Sequence, residues 1–105
     1  MASLKHVIIL VNNNTIEVVP KRINISRRAQ EQVCWHAPQY GATITFKPST
    51  GSPFEGGEYQ VPKGGSVATG PAGEQAKIGS FEYGVMVKVG SGPPIKVDPE
   101  VFVED

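Results

Sequence analysis

A single cysteine, no net charge and no long apolar run characterise this chain of 105 residues. One cysteine excludes an intrachain disulfide, so the fold must rest on core packing, and it leans toward a reducing compartment. Ten Lys plus Arg against ten Asp plus Glu remove any general electrostatic attraction to nucleic acid or to a membrane surface. The apolar run near the start, residues 7–11, is too short for a signal-peptide core and far too short to span a bilayer. As the sequence stands a cytoplasmic location is expected; a secreted or periplasmic one applies if a signal peptide has been removed. Neither GxGxxG nor GxxxxGK[ST] occurs, so the glycine-rich stretches read as turns and not as phosphate loops.

Helical spacing is equally scarce. No segment of a dozen residues repeats apolar positions at three and four, whereas short alternating runs recur, as half-buried strands require. Strands are expected at 6–11, 15–19, 22–26, 32–36, 43–46, 58–61 and 80–89, with a last run over 95–103 interrupted by Asp98 and Pro99. In the clearest run Phe81, Tyr83, Val85, Val87 and Val89 share one face and Glu82, Met86 and Lys88 the other. Pro99 has no amide to donate and belongs at a strand entrance or edge. A short helix over 26–33, behind a Ser26 cap, is the rival reading of SRRAQEQV. The whole, 1–105, reads as a single all-β domain, long enough to bury roughly 65% of its unfolded surface.

The stretch QVCWHAP, residues 32–38, holds the only cysteine and the only tryptophan, followed by one of two histidines. On a strand Val33 and Trp35 face one way, Cys34 and His36 the other, close enough to reach one ion together. Two ligands do not make a metal centre; a third has to come from His6, Met86 or a carboxylate brought in by folding. The favoured expectation is therefore a core Trp35 with Cys34 and His36 as bystanders and no metal or other cofactor. The alternative is a divergent metal-binding or electron-transfer protein that holds a copper or zinc ion through Cys34 and His36. Catalysis lacks an orienting third group and an oxyanion hole, so no enzyme is expected.

A resemblance extends this reading. QVCW, ATITF (42–46), SPFEGGEYQVPKGGS (52–66), GSFEYGVMV (79–87) and DPEVFVED (98–105) follow one another in an order that resembles the cupredoxin-like family, in particular its plastocyanin-like members. The resemblance implies a two-sheet Greek-key β-sandwich of seven or eight strands. It also implies where copper ligands would stand, and there the sequence departs from the pattern. The place of the family's cysteine is Val85, and those of its two histidines are Ala42 and Lys88. The resemblance thus implies a member lacking the type 1 copper ligands, serving as a noncatalytic binding or accessory module for an unknown protein or small ligand. Loops 48–57 and 62–79, presenting Tyr40 and Phe54, are the expected binding surface, with Phe54 alternatively plugging the open end of the barrel.

Lys21, Arg22, Arg27 and Arg28 form the one basic cluster. Without interleaved aromatics it reads as a solvated edge strand and not as a nucleic-acid site. The acidic end, Asp98, Glu100, Glu104 and Asp105, is available to pair with it.

Overall fold

The computed structural model describes residues 4–73 and 76–105. Glu74 and Gln75, inside the expected loop 62–79, lie outside the described residues. Ten strands are present among the described residues, where seven or eight are expected: β1 (Leu4–Asn12), β2 (Thr15–Val19), β3 (Arg22–Ser26), β4 (Gln32–Ala37), β5 (Ala42–Phe46), β6 (Glu58–Val61), β7 (Gly65–Pro71), β8 (Gly79–Val87), β9 (Ile95–Val97) and β10 (Glu100–Glu104). They form two facing sheets. The first has the order β2-β1-β4-β7; the second runs β3-β10-β8-β5-β6, with β9 paired to β8. Both are mixed, because β1 lies parallel to β4 and β10 parallel to β3. Among the described residues no helix is long and apolar enough to cross a membrane.

Alternation explains which side chains meet between the sheets. Val7 and Ile9 of β1, Ile16 and Val18 of β2, and Val33 and Trp35 of β4 point inward from the first sheet. They meet Ile23, Ile25, Ile44, Phe46, Phe81, Tyr83, Val85, Val87, Val101 and Val103 of the second. At the centre the Trp35 ring lies against Tyr59, Tyr83 and Phe46, with centroids 5.3, 5.4 and 6.3 Å away. Its indole Nε1 donates to the Tyr83 hydroxyl at 3.3 Å.

The turns follow local chemistry. Asn13 and Asn14, at φ +53° and +59°, give β1 and β2 a two-residue turn of the kind that asparagine tolerates and strand twist favours. The helix considered over 26–33 does not form. Ser26 Oγ does accept from Ala29 N at 3.1 Å, as a cap would. Gln30 then turns to φ +56°, and Glu31 N closes back on the Ser26 carbonyl at 3.1 Å. The capping signature therefore serves one turn between β3 and β4.

One strand is absent from the sequence reading. β7 was expected to be turns, because GSVATGP is built of small residues with Gly and Pro at its ends. It pairs antiparallel with β4, Val67 opposite Trp35, so its strand character comes from a partner and not from its own composition. The interrupted last run behaves as expected. Pro99 is buried at the entrance of β10, and its carbonyl accepts from Tyr83 N at 3.1 Å. The basic cluster lies on and to either side of β3, the edge of its sheet. Arg22 pairs with Glu100 at 3.6 Å, and Arg27 and Arg28 pair with Asp105 at 3.3 and 2.8 Å. These exposed pairs contribute little individually.

Burial pushes the Tyr83 hydroxyl up to about 12, against a smaller opposing effect of its hydrogen bond to Trp35. The folded state thus holds this proton more tightly than the unfolded chain. The associated stability, on the order of 2 kcal/mol, is fully present below pH 10 and lost as pH rises toward 12. Denaturant titrations at pH 9 and pH 11.5 should show that drop in the native sequence and lose it in Tyr83→Phe. At neutral pH the same variant should be destabilised by about 1–3 kcal/mol, because it leaves the buried Trp35 N–H without its acceptor.

Candidate metal centre

The outward-facing side chains of β1 and β4 build the site. Parallel pairing sets His6 opposite Cys34 and Ile8 opposite His36. The phase that sends Val7, Val33 and Trp35 into the core necessarily sends His6, Cys34 and His36 to the other face. His6 Nδ1 and His36 Nε2 approach to 2.8 Å and share a hydrogen bond, with ring centroids 5.0 Å apart. With the Cys34 sulfur they bring three ligand atoms within 4.8 Å of one another.

Burial grades across the cluster. His6 is exposed, His36 intermediate and Cys34 only 6% exposed, although it lies on the outer face. β4 is a central strand with β1 and β7 on either side, and the two imidazoles stand beside the thiol. The pairing of β4 with β7 slips between Gln32 and Cys34, because β7 has an extra residue there. Gly70, at φ +78°, takes the left-handed conformation that the irregularity needs. Thr69 Oγ1 fills the gap, accepting from Val33 N at 3.1 Å and donating to the Gly70 carbonyl at 2.6 Å. Below the bulge the register places only Ala68 beside Cys34 and Ser66 beside His36.

The donor set is chemically selective. Two imidazole nitrogens and one sulfur suit zinc and copper and offer no oxygen cage to calcium or magnesium. Tetrahedral zinc with Zn–N near 2.05 Å separates two ligating nitrogens by roughly 3.3 Å. To hold zinc, the 2.8 Å pair would have to open by about half an ångström and give up its shared proton. No family model, curated protein or solved structure matches this chain.

The structure corrects several expectations. Cys34 and His36 are not bystanders, since His6 joins them in a cluster able to coordinate an ion. That finding overturns the reading as a metal-free accessory module without a cofactor. It also overturns the identification as a cupredoxin-like member stripped of its ligands: this chain has a ligand set, on the open face of one sheet. Ala42 and Val85 are core residues, and Met86 points outward from the opposite sheet, so it cannot serve as the third ligand. Phe54 is not presented to solvent. It is 6% exposed and packs edge-on against Phe46 at 5.8 Å. Tyr40 is half-buried against the core.

In the sequence His6 is only one of several possible third ligands. Its spacing to Cys34 carries no motif, because the two meet through the parallel pairing of strands 28 residues apart in sequence (34 − 6). The burial of Cys34 has a direct chemical consequence. A small alkylating reagent should modify it at least about tenfold more slowly in the folded chain than in urea. His6→Ala should speed the folded-state reaction by uncovering the sulfur, whereas His6→Phe should not, as read by mass spectrometry over time.

Proposed function

We propose that this protein binds one zinc or copper ion through His6, Cys34 and His36. The convergence of the three ligand atoms within 4.8 Å carries the reading. An isolated imidazole or thiol on a sheet face is unremarkable, but three borderline-to-soft donors brought together from two strands match the chemistry of these ions. Three protein ligands on the outer face of the sheet would leave a further coordination position to a group from outside this cluster. The cluster is read as a binding site, since its geometry supports ligation of an ion and no step beyond it.

The scaffold is, on the same proposal, a Greek-key sandwich. The two parallel pairs, β1 with β4 and β3 with β10, arise from connections that cross between the sheets. That support is topological and independent of the ligand set.

Titration of the metal-stripped protein with zinc should give one ion per chain and release protons. Cobalt(II) in its place should produce a thiolate-to-metal absorption band. His6→Ala, Cys34→Ser and His36→Ala should each weaken zinc binding by at least about tenfold, and Cys34→Ser should abolish the cobalt band. Zinc affinity unchanged in Cys34→Ser would remove this function.

A further inference from the structure

The outer faces of the two sheets differ in charge. On the second sheet the outward strand positions include Arg22, Glu58, Glu82, Lys96, Glu100 and Glu104. On the first, the outward positions of β1, β2, β4 and β7 include one formally charged side chain among the described residues, Glu17. Three of the five large exposed hydrophobic residues lie there: Leu4, Ile8 and Val19, 45%, 41% and 44% exposed. They sit on β1 and β2 beside His6, and Ile8 is directly opposite His36. An exposed apolar face of this kind marks an interaction surface.

We infer that the outer face of the β2-β1-β4-β7 sheet is the interface of a homodimer whose two chains close over each other's metal sites. The inference rests on the metal-binding reading above. A second copy of the chain is the occupant that the charge pattern fits. An isologous contact places each patch against itself, which a face bearing several like charges resists and a face with only Glu17 permits. The coordination chemistry points the same way. Each ion would lack a donor on its outward side, and with His6 Nδ1 turned toward His36 the Nε2 of the same exposed imidazole is left to bridge to the ion of a second chain.

Size decides whether the metal is needed. Four strands about 4.8 Å apart and five to nine residues long, near seven on average at about 3.3 Å each, give a face of roughly 19 by 22 Å, near 420 Å². A stable interface usually takes about 800 Å² from each partner. The apolar contact alone is therefore too small, and metal coordination across the interface has to supply the difference. Dimerisation and metal binding are then reciprocally coupled.

Sedimentation velocity of the full chain with one equivalent of zinc, and with excess chelator, tests this. The expected result is a dimer with zinc and a monomer with chelator, with two ions per dimer. Val19→Lys changes an exposed residue one strand away from the ligands. It should stay monomeric with zinc, still bind one ion per chain, and bind it about tenfold more weakly than the dimeric native sequence. Circular dichroism confirms that the variant is folded. If the native chain binds one zinc ion and remains a monomer, the interface is wrong and the metal site stands, with the apolar face belonging to a different partner. A dimer that persists unchanged in chelator overturns the coupling. Absence of zinc binding removes the metal reading itself.

Discussion

The hydrogen bond from Trp35 to Tyr83 joins the two sheets at the centre of the sandwich, and the phase of β4 depends on it. A tryptophan carries the largest side chain of the core and one N–H that must find an acceptor when buried. Tyr83, on the facing sheet, offers the oxygen, and Tyr59 and Phe46 close around the indole. A slip of one residue in β4 would expose that indole and drive Cys34 and His36 inward. Because side chains on a strand alternate, anchoring Trp35 fixes the other face as well. The candidate metal centre is thus a geometrical consequence of how the core is packed.

The same anchoring explains the contrast between rigid and adjustable parts of the site. Cys34 is held on a central strand, bordered by the bulge at Thr69 and Gly70, and is nearly buried. His6 lies on a neighbouring strand, exposed, and tied to His36 by one hydrogen bond. A sulfur fixed by the scaffold and an exposed imidazole would suit a site that exchanges a shared proton for an ion. The backbone around the ligands is already ordered by sheet pairing, so little conformational entropy remains to be lost on binding.

Much of this architecture is legible in the sequence, for identifiable reasons. The alternation in SFEYGVMV predicts the buried set Phe81, Tyr83, Val85 and Val87, and QVCWHA predicts that Trp35 parts company with Cys34 and His36. Such readings succeed because period two is a local property. β7 was missed because Gly, Ser, Ala and Thr have no pattern of their own, and its strand is imposed by β4. The third ligand was undetermined for a related reason. That His6 reaches Cys34 depends on β1 lying parallel to β4, a pairing between segments whose intervening chain visits the other sheet. Phe54 separates two readings the sequence leaves open: a loop rich in Gly and Pro suggests exposure, yet the ring is buried on Phe46, in keeping with the alternative of a plug.

The charge asymmetry between the two outer faces bears on why the ligands sit where they do. A cation held on the second sheet would lie among several acidic and basic side chains, which hydrate the surface and compete for it. On the first sheet the surroundings are Leu4, Ile8, Val19, Ala68 and Ser66, so the three donors would be the principal polar groups near an ion held there. An apolar border restricts water and strengthens electrostatic attraction between an ion and a thiolate. The border is incomplete in one chain, because the face is open to solvent. Covering it raises the attraction without adding any ligand, and supplying a donor from outside adds one more bond. On the proposed dimer the exposed hydrophobic residues and the open coordination position would be two parts of one requirement, both met from the same direction.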